Sequence, residues 1–91
     1  MSSLDDSHDK LVAFYRSFVA FNECLRLSLS DLETCNEAVD PLWQDEYRRR
    51  YDVEWVALKS NLSKYIAGES AEYDRFLTEK IAVLERYLFD R

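Results

Sequence analysis

The chain has 91 residues, 47% hydrophobic and 14% aromatic, with one Gly, one Pro and a formal net charge of −6. That composition describes one globular domain, not a disordered chain, and with so few turn residues it disfavours sandwiches and propellers in favour of long helices. The acidic balance argues against a nucleic-acid backbone or an anionic membrane as the main partner, since both need a concentrated Lys/Arg surface.

The first residues, through about Asp5, read as a loose tail. MSSLDDSHDK lacks the basic segment and apolar run of a signal peptide, and no apolar run is long enough to span a bilayer. The expectation is a cytoplasmic protein without membrane insertion, any export proceeding without a cleaved signal. Asp6 or Ser7 is the expected cap of a first helix over about 7–38. Leu11, Tyr15, Phe18, Asn22, Leu25, Leu29 and Leu32 follow a four-three spacing, and Phe14, Phe21 and Val39 widen the stripe. Asn22 is the one polar residue on this seam, a position where Asn often sets register.

Pro41 disfavours helix at Asp40, which is then expected to cap a second helix over about 41–67, with Pro41 at its first position. The turn near 36–40 is short, so the two helices are expected to run antiparallel. Trp43, Tyr47, Tyr51, Trp55, Leu58, Leu62 and Tyr65 recur at helical spacing on the second helix. Asp45 with Arg49, Glu46 with Arg50 and Arg48 with Asp52 form opposite-charge pairs four apart. Gly68 suits a helix end and Ser70 a new cap, so a third helix is expected over about 70–89, on the stripe Tyr73, Phe76, Leu77, Ile81, Leu84, Leu88. A break at Gly68 is preferred, and a continuous kinked arm is the alternative. In that alternative the long arm overhangs the first helix and exposes its last apolar stripe.

No catalytic set assembles. His8, the sole histidine, sits in a first turn beside Asp6 and Asp9 and reads as solvated surface. Cys24 and Cys35 lie eleven residues apart without metal-ligand spacing, and read as reduced, partly buried thiols. Arg48, Arg49 and Arg50 fan around a helix among acids and read as a solvated face. Six acids between Asp31 and Glu46 gather near the hairpin tip without the spacing of a calcium loop; a soluble tip is the commoner reading and a basic partner the sharper one. Trp43 near the turn reads as core of the tip before docking anchor. No metal or cofactor is expected.

A helix, a short turn, Trp43 just after it, Tyr51 eight later and Trp55 twelve later resemble the WXG-type helical-hairpin superfamily of type VII (Esx-type) secretion and related bacterial systems. Asp45 stands where that family has its Gly, and Tyr47 where a small residue is usual. The family's C-terminal signal, Tyr with an acid four later, is replaced by Tyr87 with Asp90 three later; Tyr65 with Glu69 has the spacing mid-chain. The resemblance implies a non-enzymatic, dimer-forming protein and does not establish secretion. The reading is therefore an all-α antiparallel hairpin with a third helical segment, as a three-helix bundle or a kinked second arm. Its expected function is protein–protein interaction as a homodimer or half of a heterodimer, through the apolar stripe and Trp43, Tyr47, Tyr51 and Trp55. The alternative is an acidic inhibitor or immunity-type protein that blocks a basic partner, with salt-sensitive binding.

Overall fold

A computed structural model describes residues 3–89; Met1, Ser2 and the Asp90 of the C-terminal spacing lie outside the described residues. The described residues form an all-α hairpin of helix α1 (Ser3–Glu37), α2 (Glu46–Lys64), a π-helical turn (Tyr65–Glu69) and α3 (Ser70–Phe89). The last three join without interruption into one arm of about 44 residues. At about 1.5 Å per residue that arm spans about 66 Å, and the molecule measures 67 × 17 × 16 Å. Its radius of gyration is 20.1 Å, against about 12 Å for a compact chain of this length. The chain is a two-helix rod.

Helix α1 begins earlier than the expected start at 7. Asp5 and Asp6 fall in its first turn, where the helix dipole favours acids, and Asp6 pairs with Lys10 at 3.0 Å one turn on. The segment expected to be a tail up to Asp5 is therefore helical from Ser3, and Asp6 and Ser7 lie inside the helix rather than capping it.

The turn is longer than expected, running over residues 38–45, and α2 starts at Glu46 instead of about 41. Asp40 caps a turn, not the helix: its Oδ1 accepts from the Leu42 N–H at 2.9 Å and its carbonyl from the Trp43 N–H at 3.1 Å. This side-chain–backbone loop competes with helix geometry at Pro41 and Leu42. Asp45 takes the cap instead. Its backbone is extended, and its carboxylate accepts from the Arg48 N–H at 3.0 Å.

The expected break at Gly68 does not occur. The chain passes through the π turn with no positive φ at Gly68, and Ser70 caps nothing: its hydroxyl donates to the Ile66 carbonyl at 2.8 Å. The continuous arm, the alternative reading, is the one adopted, and the closed three-helix bundle is not. The expected overhang is also absent. From Tyr15 to Asn22, α1 advances seven residues while the facing arm retreats nine, from Asp74 to Tyr65. From Asn22 to Asn36 and from Tyr65 to Tyr51 both arms move fourteen. The wide turn takes up the extra chain, and α3 stays in register beside α1.

Close backbone approach between the arms is concentrated where α1 meets α3. The core there is thin. Leu29 and Leu77 alone are buried among the described apolar residues, each 8% exposed. Around them, Leu11, Phe18, Leu25, Ile81, Leu84 and Leu88 are half-buried. Phe14, Phe21, Leu32 and Leu58, expected on the buried stripes, are exposed. Two helices cover only one strip of each other, so residues at the stripe margins remain in solvent. For the same reason both cysteines are exposed, not partly buried.

Candidate functional site

Two aromatic groups stand out, one at the hairpin tip and one along a flank near the open end. The tip contains the four residues singled out by the sequence. Arg48 organises it. Its guanidinium lies 5.6 Å from the centroid of Trp43 and 6.0 Å from that of Tyr51, whose rings sit 6.0 Å apart. Arg48 also donates to the Asp40 carbonyl at 2.8 Å and the Trp43 carbonyl at 3.4 Å, and pairs with Asp52 at 2.9 Å. One planar cation thus bonds two loop carbonyls while its faces meet π systems, a combination open to Arg and not to Lys. The solvated face expected for Arg48 is corrected: its side chain is 18% exposed, whereas Arg49 and Arg50 are exposed.

The Tyr51 hydroxyl crosses to α1 and donates to Asn36 Oδ1 at 2.8 Å. Trp43, Tyr51 and Trp55 are half-buried and face the hairpin. Tyr47, expected on the same stripe, is 69% exposed and lies beneath Arg50. The tip brings Trp43 and Tyr51 together, leaves Tyr47 outside, and seats Trp55 one turn further along α2. Of the expected charge pairs, Arg48–Asp52 forms; Glu46 turns to Arg49 at 3.1 Å, and Asp45 is occupied as the cap.

Two polar bridges tie the arms further down. Tyr65 donates to Asn22 Oδ1 at 2.9 Å, so the seam Asn has a partner on the other arm. Tyr15 donates to Asp74 Oδ2 at 3.0 Å. That hydrogen bond, then burial and the Asp74 charge, push the Tyr15 phenol above its ordinary value. At the open end His8 is not solvated, with a side chain only 14% exposed. Its ring meets Phe89 edge-on at 5.5 Å, and its Nε2 lies 4.0 Å from Glu85. α3 stays beside the first turns of α1, and that covers the histidine.

The second group is a flank the sequence reading did not separate from the core. Phe14, Phe18, Tyr65, Tyr73, Phe76 and Leu77 line an apolar groove across both arms. Phe21 extends it seven residues from Phe14, and Val83 and Tyr87 extend it from Phe76 at helical spacing. Phe14, Phe21, Tyr73, Phe76 and Tyr87 are each more than half exposed. The opposite flank is mixed: its groove is lined by Asn22, Glu23, Arg26, Ser70 and Asp74 together with Val19, Ile66 and Ala71, and no aromatic ring lines it. There the Arg26 guanidinium bonds Glu23 and holds its carboxyl below the usual range. The sequence carried the signal in Phe14 and Phe21, which widen the stripe and each precede a seam residue by one position, but spacing alone did not separate that margin from the core.

Among the described residues no group of His, Cys, Asp or Glu is arranged to hold a metal ion, and no helix is long and apolar enough to cross a membrane. Compared with protein-family models, curated proteins and solved structures, the chain matches none.

Proposed function

We propose that this chain is a small non-enzymatic protein–protein interaction module, a WXG-like helical hairpin that works by dimerisation or partner binding. The observation that carries the reading is the aromatic flank, where five aromatic side chains on one side of a thin rod remain more than half exposed. Contiguous apolar surface of this kind marks association sites. The WXG-like spacing of Trp43, Tyr51 and Trp55 adds a resemblance to proteins of bacterial secretion systems, and the module's link to such a system is part of the proposal. The tip supports it indirectly. Trp43 and Tyr51 are clamped by Arg48, so they hold the hairpin's shape and leave association to the flank, with Tyr47 as the one tip aromatic free to join a contact.

The test is photo-crosslinking in the source cell from a photoreactive aromatic at position 76, with position 71 on the opposite flank as control. Adducts from 76 and not from 71 are expected. No protein adduct from 76, or equal adducts from both, would overturn the reading. An acidic blocker of a basic partner is the second reading, favoured by six acids from Asp31 to Glu46 with no Lys or Arg between Arg26 and Arg48. Its binding would fall steeply with salt, whereas apolar pairing hardly responds.

A further inference from the structure

We infer that the π turn is a one-residue register switch: α3 carries two apolar stripes, and turning it about its axis exchanges the stripe that packs on α1. Packing alone supports the switch. Its consequence for binding rests on the interaction reading proposed above, as the regulation of that same flank.

The spacing of covered residues shows the offset. Along the arm, Tyr51, Trp55, Leu62 and Tyr65 are half-buried, and Tyr51 and Tyr65 reach Asn36 and Asn22 of α1. A straight α-helix at about 3.6 residues per turn carries that face on to Glu69, Tyr73, Phe76, Lys80, Val83 and Tyr87. All six are exposed. The covered residues are Ser70, Asp74, Leu77, Ile81, Leu84 and Leu88, each one position later. The π turn supplies that delay. The Ser70 N–H bonds the Tyr65 carbonyl five residues back, where an α-helix reaches four. Restoring α geometry at the turn rotates α3 by about 100° and brings the aromatic stripe onto α1.

Each stripe can serve as core. The leucine stripe is in place, with Leu77 only 8% exposed and its one acid, Asp74, bonded by Tyr15 at 3.0 Å. The aromatic stripe offers Tyr73, Phe76, Val83 and Tyr87, and its one cation, Lys80, can keep its ammonium in water while its stem is covered. Phe18 already meets the edge of Tyr73 at 6.4 Å. Straightening the turn gives up the leucine contacts and the Tyr15–Asp74 bond. In return it replaces a rare π turn with an α turn and covers four large apolar side chains. Two packings whose gains and losses offset each other are the condition for a bistable element. Gly68 sits within the turn, where a Cβ would meet nothing within 4 Å, so no side chain obstructs the change.

The exchange governs the flank. In the register of the structure the aromatic stripe is open to a partner. After the rotation it lies on α1, and the leucine stripe faces water. A partner that takes the flank therefore holds the π turn in place, and the switch sets how much flank is offered.

The experiment is fluorine NMR relaxation dispersion on the purified full chain labelled with 3-fluorotyrosine, which reads helix register exchange on the microsecond-to-millisecond scale. Tyr73 and Tyr87 pass from exposed to covered and Tyr15 loses Asp74, so these three should share one exchange rate and a minor population of about 1% or more. Tyr47 and Tyr51 at the tip should not share it. Lys80→Leu should raise the minor population at least about tenfold. Phe76→Glu, at a site 55% exposed in the register of the structure, should remove it. Deletion of Gly68 takes out the surplus residue and should hold the leucine stripe on α1 without exchange. Absence of exchange in the wild type would overturn the switch. So would exchange that persists in Phe76→Glu, or that Tyr47 and Tyr51 share, which is the mark of global opening. Lys80→Leu and Phe76→Glu shift the population in opposite directions and keep the test decisive if the shortened chain unfolds. Exchange without an adduct from position 76 in cells would refute the interaction module and leave the switch standing; adducts without exchange would do the reverse.

Discussion

The two halves of the rod hold together by different means. At the tip, polar and cation–π contacts fasten the turn to α2, with Arg48 over Trp43 and Tyr51 and the Asp40 and Asp45 turns, and Tyr51 crosses to Asn36 on α1. Toward the open end the arms come closest, Leu77 is buried against α1, and Phe18 meets Tyr73 edge-on at 6.4 Å. Aromatics are frequent in both halves, yet they do different things. Where a cation and loop carbonyls surround them they are structural and half-covered. Where only a second helix is available, the ones at the stripe margins stay in water. Aromatic content alone therefore does not locate a binding face; what surrounds each ring does.

Removing the open half's core should separate the two halves most strongly. Leu77→Ala should cost about 3 kcal/mol, the usual range for a buried leucine, and chemical denaturation followed by helicity would read it. A loss under about 1 kcal/mol would mean that α3 contributes little packing energy to the fold. Arg48→Ala acts at the other end and should cost about 1.5 kcal/mol, through lost charged hydrogen bonds and ring contacts. Arg48→Lys should recover only a fraction, because a single ammonium cannot hold the loop carbonyls from one nitrogen and Asp52 from another as Nη1 and Nε do. Protection of α3 amides from exchange should hardly change in either tip variant. Coupled loss in both halves would show that the rod melts as one unit.

Gly68 lies in the π turn between the halves, and a Cβ built there meets nothing within 4 Å. With no positive φ to lose, Gly68→Ala should stabilise the arm by about 0.5–1 kcal/mol, seen as a raised melting midpoint. A lowered midpoint would mean the wide turn depends on glycine's flexibility. The smallest effect comes from pH. The Tyr15 phenol is raised by its bond to Asp74, so the folded value exceeds the unfolded one. Its contribution is fully present below the ordinary tyrosine range and is lost as pH rises through the folded value. The melting difference between wild type and Tyr15→Phe should therefore shrink as pH rises past about 10, the ordinary tyrosine value. A difference that stays constant as pH rises past that value would remove Tyr15 from the pH response.

The all-α class, the antiparallel hairpin, the seam of Tyr15, Phe18, Asn22, Leu25 and Leu29, and the pair Arg48–Asp52 were legible in the sequence. Each depends on spacing along one helix, and 3.6 residues per turn places such residues without knowledge of the partner arm. The exact start of α2 was not legible. Asp40 and Asp45 both have capping chemistry, and the choice follows from where Arg48 finds the Asp40 and Trp43 carbonyls.

The periodic stripes and the single punctuation at Pro41 need no tertiary contact, because they are local consequences of side-chain spacing and a locked φ. Tertiary structure alone decided that Gly68 is passed without a break, since the π turn keeps α3 in step with α1 and lets Leu77 be buried there. It also decided which aromatics are spent on the hairpin and which remain on its flank. That division depends on how wide a strip one helix can cover on another, and a two-helix rod leaves Phe14, Phe21, Tyr73, Phe76 and Tyr87 beyond that strip.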